Sequence, residues 1–291
     1  MRCTGQSRRR WASGLRDAIT LALDFDLNMA IHIKSPWEIE KMTKTGQLHT
    51  AIFAEVEPHI RPGVSTHELD QMILRAIQKV GGKAPQIGYR AGGQVPYPSA
   101  TCMSIDDVVV HGFPSKRPLQ DGELLKIDFL FTHDGYTTDM ARTYAVGKVS
   151  PEAQKLIQVT EEAFWLGLEL LQPGKRIGDV AAAVQDFVEK QHGLWCIREM
   201  VGHGVGRELH EDPQVPNYGD PGKGPKLRPG MTLAFEPMVA LYPAKMVILA
   251  DGWTATVGKG NLAAHYENTV LITESGPRLL TGSQKSVPVG L

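Results

Sequence analysis

The sequence predicts an α+β chain built from two pseudo-twofold αβ halves that share a central cleft. Three observations predict it. Helix start and stop signals alternate with short apolar strands. The same spacing of landmarks occurs twice. Acidic residues stand inside the apolar strands of both copies.

The helices come first in chain order. Ser35-Pro36 places a cap and a first-turn proline ahead of a helix running to about Val56, and Pro58 and Arg61-Pro62-Gly63 break the pattern after it. Ser65-Thr66-x-Glu68 has the form of a capping box and opens a second helix, which runs to Val80 and stops at Gly81-Gly82. Pro173-Gly174 precedes a helix through Val188, followed by His192-Gly193. Twenty residues separate Pro62 from Gly82, and twenty separate Pro173 from Gly193. Leu119-x-x-Gly122 stands nine residues ahead of Asp128, and Leu227-x-x-Gly230 nine ahead of Glu236. The copies are offset by 111 residues at the first landmark and 108 at the second. Two landmarks in register, with an acid in the same place, indicate an internal duplication. A site shared by such halves belongs on the pseudo-symmetry axis.

The strands follow. Leu124–Phe131 is apolar and does not alternate, so it reads as a buried strand. Asp134-Gly135 is a hairpin signal that returns the chain as Tyr136–Val146. If those two residues are the centre of the turn, 128 pairs with 141, and Asp139 becomes a diagonal neighbour of Asp128 on one face.

The rest of the composition narrows the class. The 291 residues are 42% hydrophobic and 22% charged, with 31 Lys and Arg against 32 Asp and Glu, as in ordinary globular proteins. That balance points to no strongly basic nucleic-acid surface and no acidic tail, although a local basic patch does not show in a total. Three cysteines, Cys3, Cys102 and Cys196, make no disulfide framework or zinc-finger spacing and suit a reducing, cytoplasmic setting. No apolar run approaches the roughly 20 residues that span a bilayer. Residues 1–28 stand apart, with Arg8-Arg9-Arg10 and a short apolar run closed by Asp24 and Asp26. They read as a disordered extension or as residues ahead of a true start at Met29, with a targeting peptide as the alternative. Residues 29–291 read as one catalytic domain.

The acids carry the chemistry. An aspartate in a strand as apolar as 124–131 is costly without compensation, and two adjacent buried carboxylates repel unless a cation lies between them. Glu236 repeats the pattern at the end of Met231–Phe235, and Glu267 stands at the entry to Val270-Leu271-Ile272. His203 lies in Gly202-His203-Gly204-Val205-Gly206, whose glycines permit close backbone approach. A phosphate loop is the other reading of that stretch, but no Walker lysine or strand-to-helix context follows. His111 and His210 are further candidates, and the remaining histidines, His265 among them, are assigned to surface or packing. One histidine and four carboxylates form a hard, oxygen-rich set suited to Mn(II), Fe(II), Co(II) or Mg(II). Such sets serve two-metal hydrolases.

Together Ile105–Gly112, Lys126-Ile127-Asp128, Asp139 with its flanks, Gly202–Gly206, His210-Glu211-Asp212-Pro213, Phe235-Glu236-Pro237-Met238 and Tyr266-Glu267-Asn268-Thr269 form a specific pattern. Over roughly residues 29–282 the chain resembles the type I methionine aminopeptidases. The resemblance implies the pita-bread fold, with a central antiparallel sheet around a dimetal cleft. It implies two divalent ions (Co, Mn, Fe or Zn), with Asp128 and Asp139 on one ion. Asp139 and Glu267 would bridge, and His203 and Glu236 would hold the other. A water between the ions would attack the first peptide carbonyl. Glu236 would move protons, while His111 and His210 would hold the substrate and stabilise the developing charge. Tyr89, Tyr97, Cys102 and Trp253 match methionine-pocket positions, Leu209 replaces the usual Phe, and Arg90–Val95 brings about five extra residues. The implied substrate is the N-terminal methionine of nascent polypeptides, favouring a small second residue. The setting implied is a cytoplasmic monomer in transient contact with the ribosome, without membrane or specific nucleic-acid binding.

Two rivals share the fold. X-Pro aminopeptidases and prolidases typically carry Glu-Pro-Gly where this chain has Glu236-Pro237-Met238, and they have additional histidines. A non-enzymatic ribosome- or RNA-binding relative would lose ligands, whereas all five positions are filled here.

Overall fold

The computed structural model describes residues 31–90 and 95–283. The expectations for residues 1–28, and for 91–94 of the extra segment, lie outside the described residues. The helices are α1 (Pro36–Val56), α2 (Thr66–Lys79), α3 (Pro151–Leu170) and α4 (Ile177–Gln185, continued by a π turn over Asp186–Gln191). The first-half strands are β1 (Cys102–Ile105), β2 (Val108–Val110), β3 (Leu124–His133) and β4 (Tyr136–Ala145). The second half contributes β5 (Trp195–Cys196), β6 (Gly202–Gly204), β7 (Glu211–Val215), β8 (Thr232–Phe235), β9 (Met238–Ala240), β10 (Val247–Ile248) and β11 (Ala255–Thr256). It closes with β12 (Ala263–His265), β13 (Glu267–Thr273) and β14 (Gly276–Leu279).

The caps are the expected ones. Ser35 and Ser65 each form a full capping box, with Glu38 and Glu68 accepting from the cap backbone in return. Gly81, at φ +73°, ends α2 in the left-handed region that favours glycine. α3 was not among the elements read from the sequence. It repeats the Ser-Pro opening of α1, with Ser150 accepting from Ala153 N.

The pseudo-twofold is visible in matching backbone contacts. Ser65 bridges Pro118, and Arg176 bridges Lys226. Gly63 N donates to Leu119 O, and Gly174 N donates to Leu227 O, at 2.8 and 2.9 Å. These pairs carry the 111- and 108-residue offsets noted in the sequence.

The two halves meet in one curled antiparallel sheet ordered β1-β3-β4-β13-β8-β6-β7. Asp134 and Gly135 take φ of +56° and +83°, the primed turn that matches strand twist, and Asp128 pairs with Ala141 as that turn requires. One apolar core lies under α1 and α2 with Phe129 and Phe131, and another under α3 and α4 with Phe164 and Phe235. The sheet therefore has helices over one face and leaves the other for the cleft.

Candidate metal centre and substrate pocket

Strand register builds the centre. Ala141 lies opposite Asp128 on one side and opposite Glu267 on the other, and the next pair on β13 is Asn268 with Phe235. Directly opposite residues of an antiparallel pair share a face. Asp128, Ala141, Glu267 and Glu236 therefore form a row across four neighbouring strands. Asp139 lies two residues along β4 from Ala141, and His203 pairs with Ala234, two residues from Glu236. Five side chains from β3, β4, β13, the end of β8, and β6 thus converge on one face. The methyl group of Ala141, 0% exposed, is all that stands in the middle of the row.

The ligand atoms are close. Those of Asp139, His203 and Glu267 lie within 4.8 Å of one another. His203 Nε2 is 3.7 Å from Asp139 Oδ2 and 3.7 Å from Glu236 Oε1. Asp128 joins from the edge of the row, facing Cys102 across the β1–β3 pair. Burial, reinforced by Glu236, raises the Asp128 carboxyl to about 6. Burial lifts Asp139, Glu236 and Glu267 well above the usual carboxylate range, and neighbouring acids add to the effect on Asp139 and Glu267. Burial holds His203 neutral, at about 4, and its Nδ1 lies 2.8 Å from the Gly204 carbonyl. That contact fixes the tautomer that leaves Nε2 free to bind a metal.

These residues fit divalent cations. Carboxylates crowded this closely are stable as anions only with positive charge among them. Glu267 Oε1 is buried without a hydrogen-bond partner among the described residues, as an oxygen reserved for an ion would be.

The candidate pocket residues adjoin the centre, with Cys102 directly opposite Asp128. Tyr97, Cys102 and Trp253 pack as one cluster with Tyr89 and Phe113. Tyr97 meets Trp253 edge-on at 5.2 Å between centroids, and its hydroxyl donates to the Gly112 and Thr101 carbonyls. The Trp253 indole donates to Val95 O at 2.7 Å, tying the described end of the extra segment to the pocket wall. His111, at φ +61°, follows β2 and meets Trp253 edge-on at 5.9 Å. Gly112 must be glycine, since a Cβ there would stand 2.7 Å from Met103 O. The Tyr89 hydroxyl is 3.5 Å from His210 Nδ1. Burial holds His111 and His210 neutral, at about 4 and about 3. Leu209 packs with Leu130, Val205 and Ala234.

All the site residues named from the sequence come together here. One residue outside that set also adjoins the centre. His265, given to surface or packing, is 1% exposed and stands 3.2 Å from Glu236 Oε2. Its signal was its place two residues before Glu267 in an apolar stretch. Gln86 was also missed: it donates to Cys102 Sγ at 3.5 Å and accepts from Leu130 N. Phe113 carried no signal beyond being apolar.

Residues 40–274 match the model of metallopeptidase family M24. The methionine aminopeptidase 1 of Bacillus subtilis is 42% identical over 248 residues, covering 85% of this chain and 98% of the relative. The methionine aminopeptidase of Aquifex aeolicus is 43% identical over 257 residues, covering 87% and 99%. The chain belongs to the methionine aminopeptidases of family M24. The crystal structure of the methionine aminopeptidase from Thermotoga maritima superposes with a TM-score of 0.83 at 42% identity, over 87% of this chain and all of that one. The prolidase from Pyrococcus furiosus, at 23% identity and a TM-score of 0.68, shares the fold alone, and the chain covers 66% of it. The pita-bread architecture is therefore common to both groups, while sequence identity places the chain with the methionine aminopeptidases. As a member of M24 it uses divalent metal. Among the described residues no helix is long and apolar enough to cross a membrane.

Proposed function

We propose that the chain removes the N-terminal methionine of peptides and nascent proteins, favouring a small second residue. One observation carries the reading: one histidine and four carboxylates converge from five neighbouring strands beside a cluster of aromatic side chains and Cys102. In this reading two divalent ions, Mn(II), Fe(II), Co(II) or Zn(II), are held by Asp128, Asp139, His203, Glu236 and Glu267. When bound, such ions supply Lewis acidity and lower the pKa of coordinated water.

The chain's own residues perform the remaining work. Tyr89, Tyr97, Cys102 and Trp253 enclose the methionine side chain, and the polarisable Cys102 sulfur and aromatic rings suit a thioether. The Tyr97 hydroxyl is already occupied by backbone carbonyls, so that residue offers its ring rather than a polar group. His111 and His210, neutral through burial, each offer one N–H to the carbonyl oxygen as charge grows on it. Glu236 carries a proton to the departing amine. The work is placed in the cytoplasm, on chains emerging from the ribosome, by a single copy of the protein whose residues 29–291 form one catalytic domain.

The test is a paired assay of Met-Gly-x and Ala-Pro-x peptides with Mn(II), Fe(II) or Co(II), and with chelator. Release of methionine that chelator abolishes is expected. Preference for the proline peptide, or indifference to chelation, would overturn the reading.

A further inference from the structure

His265 lines the acid row without being one of the five candidate ligands. It ends β12 opposite Met238 on β9. Its backbone exchanges two hydrogen bonds with Thr143 on β4: His265 N donates to Thr143 Oγ1 at 2.8 Å, and that hydroxyl donates to His265 O at 2.9 Å. With the side chain 1% exposed, the imidazole has little freedom to turn away.

Its Nε2 stands 3.2 Å from Glu236 Oε2 and 3.9 Å from Glu267 Oε2. The other oxygen of Glu236, Oε1, faces His203 Nε2 at 3.7 Å. The Glu236 carboxylate is thus bracketed by two imidazoles, one at each oxygen. The first distance is within hydrogen-bond range, but the contact is off line, and both ring nitrogens of His265 are buried without an aligned partner among the described residues. A polar ring kept in an apolar position without a partner is costly, and an aliphatic side chain would fill the space at no such cost. At 3.2 Å the pair needs alignment rather than closer approach to form the bond.

We infer that His265 is a positioning residue for the metal centre, donating from Nε2 to Glu236 Oε2 and so presenting Oε1 to the ions. A carboxylate with one oxygen so engaged offers the other as ligand in a fixed direction. Outer partners of this kind commonly govern metal affinity about 10–100-fold. The shorter side chain of Asn cannot span the distance that the imidazole spans, whereas Gln can carry an amide N–H to nearly the same point.

The inference rests on the metal-centre reading, and the experiment separates the two. The chelated full chain is titrated with Mn(II) or Co(II) by calorimetry as wild type, His265→Leu, His265→Asn and His265→Gln, with chelated melting curves to confirm folding. Leu and Asn are expected to weaken affinity about 10–100-fold, and Gln to restore most of it. Turnover of a Met-Gly-x peptide at limiting metal follows the same order, with KM for the peptide little changed. If His265→Leu does not fold, the Asn and Gln comparison decides. Wild-type affinity in the Leu or Asn variant overturns the role of His265. A wild type that binds no metal overturns the metal centre itself.

Discussion

His203 and His210 face each other with ring centroids 4.3 Å apart, and the loop between them is folded around the carboxylate of Glu211. Glu211 Oε1 accepts from Arg207 N and Glu208 N at 2.7 and 3.1 Å, and Oε2 pairs with Lys34, which lies just ahead of α1 in the other half. Both side chains of the pair are 1% exposed. Lys34→Met would leave Glu211 charged and unpaired in the interior. The expected loss is about 3–5 kcal/mol in urea unfolding, largely recovered when Glu211→Gln is added. A loss below about 1 kcal/mol would mean the pair is not what closes this loop.

Ala141 is informative for the atoms it lacks. It shares a face with Asp128 and Glu267, and any longer side chain would occupy the space among the acids. Ala141→Leu is expected to abolish metal uptake and methionine release together. Calorimetric titration at wild-type affinity would show the row to be looser than its register implies.

Metal and protons compete for the same oxygens. Asp139, Glu236 and Glu267 have raised folded pKa values, so in the metal-free protein they favour folding while protonated and lose that contribution as pH rises through those values. His111, His203, His210 and His265, lowered to about 4 or below, contribute fully above about 6.5 and lose it as pH falls toward 4. Lys126, lowered to about 7 by burial, acts in the opposite sense and adds stability as pH rises above that value. The gain in melting temperature that saturating Mn(II) gives over the chelated protein should therefore grow as pH rises, because the ion replaces protons on the carboxyl oxygens. Metal binding at pH 7 should release protons, seen as a buffer-dependent calorimetric heat. A metal-induced gain that stays the same at every pH would contradict the raised carboxyls.

Glu236→Gln keeps the shape of the side chain and removes both its charge and the proton transfer proposed for it. Turnover is expected to fall by at least about 100-fold, with weaker metal binding and the melting temperature of the chelated protein unchanged or higher. Near-normal turnover would remove Glu236 from the chemistry.

Much of this was legible in the sequence for identifiable reasons. Asp128 and Asp139 could be placed on one face because a two-residue turn at Asp134-Gly135 fixes register, and register fixes face. The duplication was legible because Pro-Gly and Leu-x-x-Gly mark backbone positions rather than packing. What escaped was whatever depends on contacts distant in the chain. Gln86 reaches Cys102 from a loop, and nothing local to Gln86 records it. His265 resembled a packing histidine until β12 brought it beside Glu236. Ala141 could not be singled out, because a small residue in a strand is unremarkable until its neighbours are known.

The matched bridges Ser65–Pro118 and Arg176–Lys226 have one further consequence. Two separate identical chains meeting on a twofold axis can set only identical side chains across it. Joining the copies into one polypeptide lifts that restriction. Aspartates at 128 and 139 can then face the longer glutamates at 236 and 267, with a lone histidine at 203 on one side, so that the two sides of a single cleft need not be chemically alike.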